Sequence, residues 1–368
     1  MCDSMPSSGQ PCQGGKTGEA GVVGEDAIGQ GVGTTAYRPR LEEVAARVGL
    51  SSATVSLVLR NVPGPSEETR RRVFQAAEEL SYRPNRTASL LARRRSHLLG
   101  VSLEIRNSFH AELVEELQAA SERVGYELVL STVTRTQNEQ RAVETLLDSH
   151  CEALILLGPD APPARLTALG KQLPVIAVGR RVKADGVDVV RSADDQGTSQ
   201  VVNYLAGLAH RAIAYVDGGK GIIPGDRRRG YRTAMRQHKL NDWIRIIPGD
   251  HTEESGLRAA AALLAEPELP TAVVTFNDRC ALGLLDALNR AGVDVPGSVS
   301  IVGYDDSPLA RLAHINLTTV SQNTQQQAEH AVAAAVERLD EQRSVPREVV
   351  LSPRLVVRRT AGPPRSSS

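Results

Sequence analysis

The stretch LEEVAARVGLSSATVSLVLRN, from Leu41 to Asn61, decides the fold at the front of this chain. Val44, Ala45 and Val48 fall at positions i, i+1 and i+4, which places them on one face of a short helix. Gly49 follows, and glycine ends helices readily because it adopts positive φ without a steric penalty. The stretch therefore predicts a first helix that stops at Gly49.

A second short helix follows the glycine. Ser51 or Ser52 can cap its N-terminus, and Val55, Val58 and Leu59 form the apolar side that faces the first helix. The outward side carries Ser52, Ala53, Ser56, Leu57 and Arg60. Two short helices joined by a glycine turn are a DNA-binding helix-turn-helix motif, or else an ordinary αα-hairpin.

The charge of the chain is concentrated around this motif. The whole sequence has a formal net charge of zero. The segment from Tyr37 to His97 contains twelve Arg, no Lys and six Glu, and so has a net charge of +6. A basic block on a neutral chain is typical of a nucleic-acid-binding module, although arginine on solvated helix faces gives the same count.

Composition narrows the class of protein. A length of 368 residues and a hydrophobic fraction of 41% indicate two or three domains with substantial cores. The four cysteines include no C-x-x-C pair, which argues for a reducing compartment and against a zinc site. No apolar run is long enough to span a membrane, and the N-terminus lacks a secretory h-region. We therefore expect a cytoplasmic protein with no metal and no cofactor.

The segments on either side of the motif have different characters. Residues 1–36 are rich in Gly and Ser, and we expect a disordered tail or a start codon assigned too early. After the motif, Ser66 caps a predicted third helix, in which Arg70, Arg71 and Arg72 either contact phosphates or form a solvated face.

A short segment, NRTASLLA, runs from Asn85 to Ala92 and is followed by three consecutive arginines. It is too short to form a stable isolated helix. It is either a plain linker or a helix that forms on DNA, with Leu91 as an apolar wedge in the minor groove.

Strands and helices alternate from Leu98 onward, which predicts parallel sheets covered on both faces and divided between two lobes. The predicted strands are Leu98–Leu103, Glu127–Leu130, Ala153–Leu157, Val175–Val178, Ile213–Val216, Ala272–Phe276 and Ser300–Val302. The predicted helices are His110–Val124, Gln137–Asp148, Gln196–Gly207, Arg227–Gln237, Glu253–Ala265, Arg279–Ala291 and Gln325–Leu339.

Ligands of such folds bind beyond the carboxyl ends of strands, so polar residues that follow strands are candidates for ligand contact. The candidates are Asn277, Asp278, Asp305, Asp306 and Gln322. The alternative for the first four is a helix cap or an Asx-turn. Arg227 is predicted to open a helix, where a cation opposes the helix dipole, and this favours a ligand or carboxylate partner.

The order of these parts resembles the lactose/galactose repressor (LacI/GalR) family of bacterial transcription regulators, from Leu41 to about Ala361. The motifs that carry the resemblance are Val44-Ala45, Val48-Gly49, Ala53-Thr54-Val55-Ser56, Thr69-Arg70, Tyr82-Arg83-Pro84-Asn85, Leu91-Ala92, Asn277-Asp278, Val302-Gly303-Tyr304-Asp305-Asp306 and Leu317-Thr318-Thr319-Val320.

The resemblance implies an all-α helix-turn-helix headpiece joined to a two-lobed, periplasmic-binding-protein-like α/β domain. It divides the chain into a tail (1–36), a DNA-binding domain (37–84), a hinge (85–97), an effector domain (98–361) and a second tail (362–368). The implied partners are a double-stranded palindromic operator, a small-molecule effector expected to be a sugar, and a second copy or further dimers of this chain.

The resemblance also assigns site residues by position. Those implied to contact DNA are Leu41, Ser51, Ser52, Ala53, Thr54, Ser56, Leu57, Arg60, Asn85, Leu91, Ala92 and Arg93. Those implied to bind the effector are Phe109, Arg227, His251, Asn277, Asp305 and Gln322. The sequence departs from the family pattern at Leu57, where a base-reading Arg or His is frequent, at Gly179, which replaces a frequent pocket Asp, at His251, which replaces a stacking aromatic, and at Ala193-Asp194.

Other functions remain open at this stage. The effector could instead be a purine, a phosphorylated metabolite or a protein co-regulator. A transporter-type solute-binding protein shares the two-lobed fold but would need an export signal and no basic headpiece. An enzyme is disfavoured because the sequence lacks a G-x-G-x-x-G after a strand, a Walker A motif and a G-x-S-x-G.

Overall fold

The computed structural model describes residues 39–59, 62–82 and 95–365. The chain divides into two compact units, with the boundary between Ser89 and Leu90. None of the helices within the described ranges is long and apolar enough to cross a membrane.

The first unit consists of three short helices, α1 (Leu41–Val48), α2 (Ser52–Leu59) and α3 (Glu67–Glu79). Gly49 adopts a left-handed conformation with φ of 67° and ends α1, as its sequence position predicted. Ser51 and Ser66 cap α2 and α3 by accepting backbone N–H groups in the first turn of each helix.

The three helices bury a small aliphatic core. Its fully buried side chains are Val44, Val55, Val58 and Val73. Two of the three consecutive arginines hold the helices together, because Arg72 donates to the Val48 carbonyl and Arg70 to the Val62 carbonyl. These contacts give Arg70 and Arg72 a structural role in addition to any contact with phosphate.

The second unit has two lobes. The sheet of the N-terminal lobe has six strands in the order β2-β1-β3-β4-β5-β11, all paired in parallel. The strands are β1 (Leu98–Glu104), β2 (Glu127–Val133), β3 (Ala153–Leu157), β4 (Val175–Val178), β5 (Val187–Ser192) and β11 (Glu348–Leu351). The helices of this lobe are α4 (Ser108–Arg123), α5 (Glu139–Asp148), α6 (Pro163–Gly170) and α11 (Thr324–Leu339).

The sheet of the C-terminal lobe has four parallel strands in the order β7-β6-β8-β9. They are β6 (Ile213–Val216), β7 (Arg245–Ile247), β8 (Ala272–Thr275) and β9 (Ser300–Val302), and a two-stranded antiparallel pair, β10 (Thr319–Ser321) and β12 (Arg354–Val356), stands beside them. The helices are α7 (Asp194–Gly207), α8 (Ile222–Gln237), α9 (Glu253–Leu264) and α10 (Asp278–Arg290).

The chain passes between the lobes three times, after β5, after β10 and after β11. Hydrogen bonds join the crossing segments: Gln327 Nε2 donates to the Ser192 hydroxyl at 3.3 Å, and Ala193 N donates to the Leu351 carbonyl at 2.9 Å. The predicted two-lobed architecture is therefore confirmed.

The predicted start of one helix was wrong by five residues. The helix predicted to open at Arg227 begins at Ile222, since Gly221 (φ 125°) precedes it and Pro224 lies in its first turn, where no backbone N–H is needed. Arg227 is thus in the second turn, and the argument from the helix dipole does not apply.

The predicted ends of the effector domain stay predictions, although residues just outside them are hydrogen bonded to it. Ser96 and His97, predicted as hinge, are fixed by backbone hydrogen bonds to Glu152. Gly362, predicted as the start of a tail, accepts from His210 and donates to Ser300.

Candidate functional site

Apart from Leu41, the described residues that were predicted to contact DNA lie on or beside α2. Ser51 and Ala53 are exposed, while Ser52, Ser56 and Leu57 are partly exposed. Thr54 is partly exposed, and its hydroxyl is hydrogen bonded to Ser51. Leu41 lies at the start of α1 and packs against the helical core. Arg60, Asn85, Leu91, Ala92 and Arg93 lie outside the described residues.

The six residues predicted to bind the effector all line one cleft. They come from both lobes: Phe109 from the N-terminal lobe, and Arg227, His251, Asn277 and Asp305 from the C-terminal lobe, with Gln322 at a crossing between them. Gly179, at the departure from the family pattern, lines the same cleft with φ of 91°.

Arg227 lies at the base of the cleft and is almost fully buried. Its Nε donates to Asp194 Oδ1 at 2.8 Å and its Nη1 to the Phe276 carbonyl at 2.6 Å. The guanidinium stacks on the Tyr304 ring, with its carbon 3.6 Å from the ring centroid. Arg227 is therefore already paired before any ligand binds, and Asp194 was the carboxylate partner that the sequence did not identify.

Asp305 is buried beside this arginine, with Oδ1 at 3.8 Å from Arg227 Nη2. Gln322 Nε2 donates to the same oxygen at 2.7 Å. Burial raises the pKa of Asp305 to about 8, the Asp278 carboxylate adds to the rise, and Arg227 opposes it. The backbone of Asp305 has φ of 117°, a strained conformation for a residue with a side chain.

Asn277 connects the cleft to two backbone groups. Its Oδ1 caps α10 by accepting from Cys280 N at 2.9 Å, and its Nδ2 donates to the His251 carbonyl at 3.1 Å. Asn277 is therefore a helix cap, and because it also lines the cleft, its contact with a ligand stays a prediction.

His251 reaches across the cleft opening toward the N-terminal lobe. Its Nε2 is 3.7 Å from Glu104 Oε1. The carboxylate raises the pKa of His251 and the imidazole lowers that of Glu104. His251 therefore forms a polar contact between lobes at a position where the family has an aromatic ring.

His110 lines the cleft and was missed by the sequence reasoning. Its Nδ1 accepts from Glu104 N at 3.1 Å, which leaves the proton of the neutral ring on Nε2, so that Nε2 is a donor. Burial lowers the pKa of His110 to about 4, so the ring is neutral at pH 7. Only the packing of α4 against the end of β1 brings these groups together, and no sequence motif marks it.

Two other candidates, Asp278 and Asp306, bond to groups within the protein and are not among the residues that line the cleft. Asp278 accepts from Ser307 N at 2.7 Å and from the Thr319 hydroxyl. Asp306 pairs with Arg358 at 2.6 Å. Both carboxylates fix the loop after β9 against the C-terminal strands.

The cleft offers many hydrogen-bond donors and acceptors but little free charge. Among the described residues that line it, Arg227 is the one arginine or lysine, and its guanidinium is engaged by Asp194 and the Phe276 carbonyl. An uncharged, polyhydroxylated molecule suits such a lining, because each hydroxyl both donates and accepts.

Comparisons with known proteins agree with both units. The model for bacterial regulatory proteins of the lacI family matches residues 40–85, and the model for periplasmic binding protein-like domains matches residues 202–361. The HTH-type transcriptional regulator GalR of Escherichia coli strain K12 is 31% identical over 330 residues, which cover 88% of this chain and 96% of that protein.

Two solved structures extend the comparison. A complex of the transcriptional regulator CelR with cellobiose is 29% identical, has a TM-score of 0.65 and covers 88% of this chain and 100% of that chain. The lac repressor dimer bound to operator and the anti-inducer ONPF is 25% identical, has a TM-score of 0.76 and covers 89% and 100% of the two chains.

Proposed function

This chain belongs to the lacI family of bacterial regulatory proteins, and from that premise we propose that it is a repressor which binds a palindromic operator as a homodimer and changes its DNA affinity when a sugar occupies the cleft. Ligand-responsive, DNA-binding transcription regulation is the function of the family. The sugar, the direction of its effect and the residues that bind it are the proposed part. The proposal places the protein in the cytoplasm and assigns the cleft a binding role and no catalytic one.

The single observation that carries the sugar proposal is the internal pairing of Arg227. A phosphorylated effector would need a cation to neutralise it, and using Arg227 would strip the buried Asp194 of its partner. Breaking a buried ion pair by removing one partner costs about 3–5 kcal/mol. A neutral sugar avoids this cost, and it can bond to Asn277, Gln322 and the His110 Nε2–H without displacing the pair.

The headpiece supports the DNA-binding part. The outer side of α2 carries small side chains, including the exposed Ala53 and the partly exposed Ser52 and Ser56. Small side chains leave room for the helix to approach base edges closely. The effector acts by binding the two lobe arrangements unequally, and such coupling is typically worth about 1–3 kcal/mol.

We expect Asn277→Ser to separate effector binding from folding. Serine caps α10 as asparagine does, so the helix is kept, but it removes the Nδ2 donor from the cleft. One lost hydrogen bond weakens affinity by roughly 5- to 30-fold. The measurement is calorimetric titration of the purified protein with a panel of neutral sugars and their phosphorylated forms. Operator affinity is measured in parallel, on DNA fragments selected from the genome by binding to the protein.

The matched control is Asn138→Ser. Asn138 caps α5 by accepting from Arg141 N at 2.9 Å and is not among the residues that line the cleft. This control should bind the same sugars with wild-type affinity. Equal sugar affinity in the two variants would remove Asn277 from the proposed site, and binding of phosphorylated sugars alone would overturn the neutral-sugar proposal.

A further inference from the structure

Three elements of the N-terminal lobe start or end at the cleft and have their other ends close together. β1 ends at Glu104, which contacts His251. β3 is followed directly by Gly158, which lines the cleft, and α11 begins two residues after Gln322. At 1.5 Å per residue the sixteen residues of α11 span roughly 24 Å.

The far ends of these elements meet at Arg95, the first described residue of the effector domain. Arg95 Nε and Nη2 donate to Glu152 at 3.1 and 2.8 Å, directly before β3. Its Nη1 bonds to Asp340, the C-cap of α11. Tyr126 OH joins the cluster, since it accepts from Arg95 and donates to Asp340 at 3.1 Å.

Glu152 also fixes the backbone that leads into β1. Its Oε1 accepts from Ser96 N and, at 3.0 Å, from His97 N. Arg95, Ser96 and His97, in the segment that follows the DNA-binding unit, are thus bonded to Glu152 before β3, and Arg95 is also bonded to Asp340 at the end of α11. No other ion pair in the described parts of the chain joins the start of β3 to the end of α11.

Stability alone does not explain this cluster. The Arg95 side chain is 38% exposed, and ion pairs at such positions contribute about 0–1 kcal/mol. A guanidinium fork does, however, fix the direction of its two carboxylate partners more tightly than an ammonium group would.

We propose that Arg95 is a positioning residue that transmits the lobe arrangement to the DNA-binding unit. A shift of α11 or β3 at the cleft moves Asp340 or Glu152, and Arg95 passes the displacement to the chain that leads to the DNA-binding unit. The inference rests on the proposed function, because it concerns the coupling between effector cleft and operator. It assigns the coupling to the Arg95 guanidinium and its two carboxylate partners, Glu152 and Asp340.

A double-mutant cycle tests the proposal without a known effector. Gln322→Ala disturbs the cleft end of α11 by removing the bond to Asp305, and Arg95→Gln breaks the cluster at the other end. The measurement is the affinity of the full-length protein for an operator selected from genomic DNA. Distant substitutions without shared partners normally have additive effects.

We expect Gln322→Ala to change operator affinity by about threefold or more when Arg95 is present and by less than about 1.5-fold in the Arg95→Gln background. Asp340→Asn should remove the effect of Gln322→Ala in the same way, and it serves as the second variant if Arg95→Gln does not fold. Fluorescence of Trp243, the one tryptophan of the chain, monitors folding of each variant.

The matched control is Arg123→Gln. Arg123 pairs with Glu329 in the middle of α11 at 3.3 Å, and the substitution makes the same charge change. It should be additive with Gln322→Ala. Additive behaviour of Arg95→Gln, or operator affinity unaffected by Gln322→Ala, overturns the inference; failure of the wild-type protein to bind any DNA would instead overturn the proposed function.

Discussion

Asp305 concentrates two unfavourable features in one residue of the cleft. Its side chain is only 10% exposed and its backbone has positive φ. Strained, desolvated residues of this kind persist where the surrounding structure holds them, and they cluster at binding sites. The raised pKa has a direct consequence for stability, because folding favours the protonated form.

We expect Asp305→Asn to stabilise the unliganded protein more at pH 8 than at pH 5. The contribution of a carboxyl with a raised folded-state pKa is fully present below its unfolded value and is lost as pH rises toward about 8. Asparagine does not titrate and tolerates positive φ. The gain in Tm over wild type should be about 6 °C larger at pH 8. Thermal scans at both pH values measure it.

Asp148→Asn, at an exposed helix end, is the control for this substitution. Its effect on Tm should be the same at the two pH values. A gain for Asp305→Asn that does not grow between pH 5 and pH 8 would show that Asp305 is ionised in the folded protein at both.

At the residue scale, position after a strand found Asn277, Asp305 and Gln322, whereas Phe109 and His251 came only from the family resemblance. The partners of the cleft residues were not predictable. Asn277 and Asp305 follow β8 and β9, and parallel strands bring their carboxyl ends to one edge. The pairing of Arg227 with Asp194 joins residues 33 positions apart on two packed helices. That contact depends on how α7 packs on α8, which no local pattern specifies.

At the scale of elements, the apolar spacing of the headpiece predicted its helices well, since each helix is short and buries one face. The start of α8 was missed because Pro224 and two nearby glycines read as helix breakers. The sequence analysis also failed to predict strand β5, VDVVRS. This strand contains Asp188, whose side chain is fully buried and forms ion pairs with Arg338 and Arg343. Because a charged residue interrupts its apolar residues, the hydrophobic pattern alone does not predict this strand.

The outward face of α2 can be tested by a pair of identical substitutions. Ala53 and Ala46 are both exposed, on α2 and α1 respectively. Ala53→Glu places a carboxylate on the helix proposed to enter the major groove, where phosphates repel it, and we expect specific operator affinity to fall by about 100-fold or more. Ala46→Glu should change it by less than about fivefold, which gel-shift titration can resolve.

Helix content of the two variants should match wild type by circular dichroism, because glutamate suits exposed helix positions. If Ala46→Glu abolishes binding while Ala53→Glu does not, α1 and not α2 would be the DNA-contacting helix.

At the scale of the whole molecule, the lobes are joined by more than the three crossings. Arg181 from the N-terminal lobe pairs with Asp226 of α8, and Arg279 of α10 donates to the Arg106 carbonyl at 2.6 Å. With the Glu104–His251 contact, these polar links lie around a cleft whose floor is also polar. Polar contacts between lobes can be exchanged for contacts with a ligand and with water, which a large apolar interface would resist.

The uneven charge of the chain leads to different salt dependences for the binding of its two ligands. The segment 37–97 has a net charge of +6 on a chain of net charge zero, so operator binding by two copies should release many counterions. We expect log affinity for the operator to fall with log salt with a slope of about −5 to −10.

Effector affinity should be nearly independent of salt, because Arg227 is neutralised inside the protein and the expected ligand is uncharged. Titrations of one preparation between 50 and 300 mM salt, roughly the range where counterion release is measured, compare the two directly. A flat operator slope would contradict the phosphate contacts, whereas a steep effector slope would mean that the cleft binds an anion after all.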